Sequence, residues 1–146
     1  MQPADRQSMI SILQALYYLP TGIWPLVSLR TFMAVTGPKV DGWLVKTVGA
    51  LITVVGGVLM LAGLRRRVSP EVRLLAVGSA AGLAAIDVVY VARRRISPIY
   101  LLDALGEVIL IGAWVAAMRT DRRGRGRGVR RQLARIRRKK MRAVRA

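Results

Sequence analysis

The clearest structural signal in this chain is the stretch at 43–64, WLVKTVGALITVVGGVLMLAGL, in which residues 54–64 carry no polar side chain. A helix needs about 20 mostly apolar residues to cross a bilayer, and this stretch is long enough. Three further stretches qualify on the same ground, at about 9–28, 72–92 and 98–118. The sequence therefore predicts an all-α protein, a four-helix transmembrane bundle in a single domain at 1–118.

The first stretch, 9–28, is interrupted by Pro20, Gly22 and Pro25. Proline removes a backbone donor and its ring clashes with the preceding turn. We therefore expect a kink or local unwinding near 19–24, tolerated where neighbouring helices cover the freed backbone groups. A cleaved signal peptide is the competing interpretation, but no small-x-small cleavage pattern follows the stretch. We predict that it is retained as a span.

Charge is distributed very unevenly along the chain, which has a formal net charge of +18 although 53% of it is apolar. Residues 119–146 hold fourteen Lys or Arg against one Asp, so they form a basic tail. With four spans the two termini share a side, and that side holds most of the basic residues outside the spans. The positive-inside rule then predicts an inner (plasma) membrane protein with both termini in the cytoplasm, although three arginines at 93–95 fall on the opposite side.

The tail is also partly amphipathic beyond its Arg–Gly repeats. A basic amphipathic helix that follows a span is typical of a segment lying on anionic lipid. Arg–Gly repeats also bind the phosphates of nucleic acid, but the tail has no aromatic side chain to stack on bases. We predict membrane lipids as its partner, and nucleic acid as the less favoured one. The residues expected to contact anionic headgroups are Arg130, Arg131, Arg135, Arg137, Arg138, Lys139 and Lys140.

Cysteine and histidine are absent from the whole sequence. Their absence excludes disulfides, thiolate metal sites and the commonest general base. No cofactor and no bound metal are predicted, and any catalysis would rest on carboxylates, lysine, tyrosine or hydroxyl groups.

Three carboxylates and one lysine lie inside the predicted spans: Asp87, Asp103, Glu107 and Lys46. A charge in the hydrocarbon region costs roughly 3 kcal/mol or more, so it is rarely found there without a role or a partner. Given a rise of about 1.5 Å per residue, all four fall in the half of the membrane opposite the termini. Lys46 can neutralise one acid, which leaves an excess of acid to be met by protonation, a bound cation or a nearby arginine.

Two interpretations of this constellation stay open. The four side chains either line a polar intramembrane pocket that binds a ligand or relays a proton, or they form a structural network between helices. Asp103 and Glu107 share a helix face because they are four residues apart, and Trp114 continues that face. Tyr17 and Tyr18 of the first span are expected to line the same space.

Small residues suggest where helices pack closely. The third predicted span contains Gly78 and Gly82 in a GxxxG element, and the second contains Gly49, Thr53 and Gly57 at intervals of four. Such stripes allow close approach of two backbones. They form either the seam of a homo-oligomer or a contact within one bundle, and we favour the contact within the bundle.

A short sequence also occurs twice, as RRRVSP at 65–70 and as RRRISP at 93–98. We interpret both copies as a basic membrane boundary followed by a helix start, in preference to a relic of duplication.

Three segments resemble small four-helix bacterial membrane proteins: YYLPTGIWP at 17–25, TGPKVD at 36–41 and YLLDA at 100–104. The general plan is similar to that of the DoxX-like group. This resemblance covers the body and not the tail, rests on layout, and implies a compact four-span fold without carrying over any functional residue.

The function predicted from the sequence is that of a binding or accessory membrane subunit with a polar intramembrane pocket. One alternative is a small proton-coupled carrier that uses Asp87, Asp103 and Glu107. Another is a lipid-modifying enzyme with a carboxylate as its acid–base group. A role without catalysis is favoured, and a homo-oligomer or a larger membrane complex is the expected assembly.

Overall fold

The computed structural model describes residues 3–120, and all regular structure within that range is helical. The elements are α1 (Pro3–Val27), α2 (Leu29–Thr36), α3 (Gly42–Leu64), α4 (Pro70–Ala92) and α5 (Tyr100–Thr120). All except α2 are long and apolar enough to cross a membrane. The predicted all-α class and four-helix transmembrane bundle are therefore confirmed. The tail residues assigned to headgroup binding lie outside the described range.

The surface of this bundle is more apolar than parts of its interior. Large side chains that are more than half exposed include Leu51, Val54, Leu74, Leu102 and Ile109. The buried polar side chains include Gln7, Ser11, Gln14, Asp87 and Glu107. Such an arrangement is unfavourable in water but matches a hydrocarbon surrounding, where only apolar surface is tolerated. The distribution agrees with the span lengths and indicates a multi-pass membrane protein.

Helix α1 continues through both of its prolines, so the local unwinding expected near 19–24 does not occur. The Thr21 hydroxyl donates to the carbonyl oxygens of Tyr17 at 2.9 Å and Tyr18 at 3.1 Å. This side chain supplies a donor in the turn where Pro20 cannot supply one. After Val27 the chain bends at Ser28, whose hydroxyl accepts from the backbone N–H of Thr31 and begins α2. The sequence did not predict that short helix.

The contact between α1 and α3 depends on glycines spaced seven residues apart: Gly49, Gly56 and Gly63 are all buried against α1. A Cβ on Gly49 would lie 2.7 Å from the Gly22 carbonyl oxygen, and one on Gly63 would lie 2.9 Å from that of Ser8. Gly22 in turn faces Thr53. The two antiparallel helices can approach this closely only because these positions lack side chains.

The other predicted packing glycines face away from the described bundle. A Cβ on Gly57, Gly78 or Gly82 would meet nothing within 4 Å. Helix α4 instead turns a face of alanines and Asp87 toward the other helices, which leaves its GxxxG element on the opposite side. The favoured contact within the bundle is therefore absent at these three glycines among the described residues. Their participation in a homo-oligomer stays a prediction.

The two copies of the repeated sequence form the same turn. After α3, Arg66 has a φ of 51°, and after α4, Arg94 has a φ of 55°. In each turn the following arginine donates its backbone N–H to the carbonyl five residues earlier, at 3.0 Å for Arg67 and 2.9 Å for Arg95. A helix that ends with a residue in the left-handed conformation usually has glycine at that position. A residue with a Cβ there costs roughly 1–2 kcal/mol.

Candidate functional site

The site is organised by a polar stripe on α1. Gln7, Ser11, Gln14 and Tyr18 are all buried, and their spacing of four, three and four residues places them on one helix face. Ser11 donates to the Leu59 carbonyl oxygen of α3 at 2.7 Å. The stripe therefore runs along the inside of the bundle and brings polar groups of α1 against α3, α4 and α5.

Its first part is an electrically neutral layer, which we call the glutamine layer and define as Gln14, Trp114 and the Ala76 carbonyl. Gln14 Nε2 donates to the Ala76 carbonyl oxygen at 2.9 Å. Gln14 Oε1 accepts from Trp114 Nε1 at 2.7 Å. Both side chains are completely buried. Each polar group in this layer has a partner of the matching type, so the amide of Gln14 is held in one orientation.

One turn further along α1, Tyr18 connects the glutamine layer with the acids. Its hydroxyl donates to Glu107 Oε2 at 3.0 Å and lies 3.3 Å from Ser79 Oγ. Ser79 in turn donates to the Ala76 carbonyl oxygen at 3.1 Å. Glu107 is buried with Tyr18 as its described donor. A tyrosine is well suited to this position because it combines a large apolar ring with one hydroxyl donor.

The remaining two acids complete the acidic cluster, which we define as Asp87, Asp103 and Glu107. The Tyr17 hydroxyl donates to Asp103 Oδ1. The carboxyl groups of Asp87 and Asp103 lie within hydrogen-bonding reach of each other. Gly106 makes room for this arrangement, since a Cβ there would lie 3.2 Å from the Tyr17 hydroxyl oxygen. The cluster thus joins α1, α4 and α5.

Asp87 is the side chain whose hydrogen bonding is incomplete. It is 6% exposed, and its Oδ2 has no partner among the described residues. A carboxylate oxygen is only an acceptor, and so are the oxygens of Asp103 when that group is ionised. Two ionised carboxylates repel at this distance, particularly in a low dielectric. The geometry therefore calls for a proton or another cation between Asp87 and Asp103.

Lys46, which the sequence suggested as the counter-charge, does not supply this cation. It is exposed on α3, and no described residue forms a salt bridge with it. The reason is the rotation of α3: its buried face holds the glycines that contact α1, and Lys46 points elsewhere. Of the four residues predicted to meet, the structure brings together Asp87, Asp103 and Glu107, and it leaves Lys46 outside.

The cluster is closer to one end of the bundle than to the other. Asp87 precedes the last residue of α4 by about 8 Å and Asp103 follows the first residue of α5 by about 5 Å, from their positions in the helices. The turn at 93–99 joins these two helices, so the acids lie beneath it. The glutamine layer lies on the side away from this turn, which separates the acids from the end of the bundle that carries the N-terminus.

Sequence reasoning missed the glutamine layer. Trp114 is predicted only to continue the Asp103–Glu107 face, and no buried role is predicted for Gln7, Ser11 or Gln14. The available signal was the regular recurrence of polar residues at 7, 11, 14 and 18 in a helix that is otherwise apolar. In a membrane helix such a stripe marks the side that faces other helices, since lipid offers no partner for a polar group.

The cluster does not have the form of a metal site. Within residues 3–120 no group of three or more Asp, Glu, His or Cys is arranged to hold a metal ion. Comparisons with protein-family models, with curated proteins and with solved structures give no match to this chain.

Proposed function

We propose that this chain is a small membrane-spanning binding subunit whose acidic cluster holds an exchangeable proton. The observation that supports the proposal is the buried Asp87 Oδ2, which has no donor among residues 3–120 and belongs to a carboxyl group that meets Asp103. Two carboxyl groups at hydrogen-bonding distance attract each other only when a proton or another cation lies between them. A proton is the smallest such cation and requires no additional cavity.

The same place suits the positively charged end of a binding partner. A lysine or arginine of a neighbouring membrane helix, or a basic ligand, would take the place of the proton and satisfy Asp87 Oδ2. Pairing of this kind is what intramembrane ionisable groups commonly require. An accessory role in a larger membrane complex follows, with association that weakens at low pH because protonation of the acidic cluster competes with the basic partner.

The proposal is tested with dicyclohexylcarbodiimide, a membrane-soluble reagent that adds to protonated carboxyl groups. We expect it to label Asp87 or Asp103 in the full chain in nanodiscs at neutral pH, as located by mass spectrometry. Glu71, exposed at the start of α4, is the internal control and should react with a water-soluble carbodiimide instead. Absence of any label on the acidic cluster, at neutral and at mildly acidic pH, would contradict the proposal.

A proton-coupled carrier is the second candidate, favoured by the direct contact of Tyr17 with Asp103 and of Asp103 with Asp87. Against it, the Trp114 indole is a donor only, and the Gln14 amide is held between fixed partners and passes on no proton. Proteoliposomes with a potassium diffusion potential separate the two candidates. Proton uptake that is lost in Asp87→Asn would favour the carrier. No described contact specifically favours a lipid-modifying enzyme.

We also propose the membrane in which this subunit lies, its orientation and its assembly. We assign it to a bacterial inner membrane with both termini in the cytoplasm, supported by the positive charge of 119–146. The similarity in layout to DoxX-like proteins is retained as a suggestion about fold alone. Binding of anionic headgroups by the tail, and assembly into a homo-oligomer or a larger complex, remain proposals that rest on the sequence.

A further inference from the structure

The turn between α4 and α5 contains three consecutive exposed arginines, Arg93, Arg94 and Arg95. Arg94 has a φ of 55°, in the left-handed region that favours glycine. The turn is fixed by backbone hydrogen bonds from Arg94 to Val91 and from Arg95 to Tyr90, both 2.9 Å. A glycine would make the same bonds without the steric conflict of a Cβ. The backbone conformation therefore does not account for an arginine at 94.

The matched turn at 65–67 shows what is particular to 93–95. Its backbone hydrogen bonds follow the same pattern, and Arg66 occupies the same left-handed conformation. Arg66, however, donates to the Asp5 carboxylate at 3.3 Å. No salt bridge from the arginines at 93–95 occurs among the described residues. The turn at 93–95 thus concentrates three positive charges without a described counter-charge.

The position of this turn in the membrane gives no electrostatic reason for the charges. It lies at the end of the bundle opposite the termini, where the positive-inside rule disfavours arginine if the termini are cytoplasmic as proposed above. Beside it, Tyr90 is 43% exposed and Ile99 is 39% exposed. Tyrosine at this depth is typical of the boundary between hydrocarbon and headgroups. The turn therefore brings three exposed cationic side chains close in sequence to two exposed side chains, Tyr90 and Ile99, that can contact lipid.

We propose that the arginine turn at 93–95 binds the phosphate of an anionic lipid headgroup on the membrane face opposite the termini. Guanidinium groups donate paired hydrogen bonds that match the geometry of phosphate oxygens. A free phosphate ion offers the same oxygens. The lipid is favoured because exposed Tyr90 and Ile99 provide contact for an acyl chain, which free phosphate lacks.

The test uses the full chain in nanodiscs that contain either phosphatidylglycerol or phosphatidylcholine, each with a photoreactive diazirine beside the headgroup. After illumination, mass spectrometry quantifies lipid attached to fragments that cover 96–118, separately from fragments of the basic tail. We expect several-fold more attachment of phosphatidylglycerol than of phosphatidylcholine at 96–118. The combined variant Arg93→Gln, Arg94→Gly, Arg95→Gln should abolish this excess.

Arg66→Gly is the matched control, because it relieves the same backbone conformation at the other turn. It should leave the phosphatidylglycerol excess at 96–118 unchanged. Thermal unfolding of Arg94→Gly monitors the fold, and this variant should unfold no more easily than the wild type. Equal attachment of the two lipids to the wild type overturns the proposal, as does an excess that persists in the combined variant. Loss of the excess on adding inorganic phosphate would mean that the free ion displaces the lipid, and it would overturn the choice of the lipid as the occupant.

Discussion

Two polar layers lie one above the other inside this bundle, and they differ in how their buried polar groups find partners. In the glutamine layer an amide, an indole and a backbone carbonyl satisfy one another without any titratable group. In the acidic cluster three carboxyl groups meet two tyrosine hydroxyls, and one buried oxygen has no partner in the described part of the chain. The two layers are joined through Tyr18 and share the same three helices, α1, α4 and α5.

The difference separates a fixed polar contact from an exchangeable one. Neutral donors and acceptors in matching number need nothing further, so the glutamine layer is complete as it stands. Carboxyl groups that are buried together without a basic side chain need a proton or another cation between them. A proton bound in this way can be released or replaced. We therefore expect changes in the glutamine layer to affect stability, and changes in the acidic cluster to affect proton binding.

The largest expected effect is that of Trp114→Ala. Truncation of a completely buried tryptophan should lower the free energy of unfolding by about 3–5 kcal/mol. Trp114→Phe keeps an aromatic ring but removes three heavy atoms, including the N–H that donates to Gln14, so its loss should be smaller, about 1–3 kcal/mol. Unfolding by sodium dodecyl sulfate in mixed micelles measures both. Equal losses for the two variants would mean that the hydrogen bond to Gln14, and not packing, determines the stability of this layer.

Gln14→Glu converts the neutral layer into an acidic one and should cost about 3 kcal/mol when the new carboxylate is ionised. The reason is that its oxygens would face the Ala76 carbonyl, which offers no donor. The destabilisation should shrink as the pH falls and the new group is protonated. Gln14→Leu, which has no titratable group, is the control and should show no such dependence on pH. If Gln14→Glu does not lower the free energy of unfolding at neutral pH, the distinction between a neutral layer and an acidic cluster is wrong.

Both layers depend on how closely α1 approaches α3, so Gly49→Ala should disturb them together. The added Cβ would lie 2.7 Å from the Gly22 carbonyl oxygen and 2.9 Å from Pro25 Cγ. Overpacking of this kind costs about 1–3 kcal/mol. Gly57→Ala is the matched control on the same helix, because its Cβ would meet no atom of the described residues within 4 Å. It should leave the stability unchanged or raise it by up to about 1 kcal/mol.

The smallest effect on stability is expected from Asp87→Asn, within about 1 kcal/mol of the wild type. The new amide can donate to Asp103 in place of the shared proton, so the contact between α4 and α5 is kept. Labelling of Asp103 by dicyclohexylcarbodiimide should nevertheless fall, because an amide donor allows that carboxylate to stay ionised. A loss of stability as large as that of Trp114→Ala would mean that the cluster is a fixed structural network.

Much of this architecture could be predicted from the sequence because span length is a local property. A run of apolar residues long enough to cross a bilayer can be recognised without knowing its neighbours, and four such runs were found near the observed helices. The acids could be singled out for the same reason, since a carboxylate inside such a run is unusual wherever it points. The helix α2 was missed because eight residues between turns carry too little pattern to identify.

The side of each helix that contacts the other helices could not be predicted from the sequence. Lys46 was expected beside the acids and lies on the exposed side of α3, although its depth along the helix suits the pairing. The stripe at 49, 53 and 57 is predicted to pack, and Gly49 and Thr53 do face α1, but the buried glycines repeat every seven residues, at 49, 56 and 63. On a helix that is apolar all round, hydrophobic periodicity contains little information about which side meets protein and which meets lipid.

Residue order alone is enough to establish four apolar helices long enough to cross a membrane, with carboxylates inside them and neither histidine nor cysteine in the chain. The folded bundle was needed to show that Asp87 and Asp103 meet, that Lys46 does not join them, and that Gln14 and Trp114 form a second polar layer beside them. The physical reason is that apolar helices pack by shape and by polar pairing across the bundle. Both depend on residues far apart in the chain.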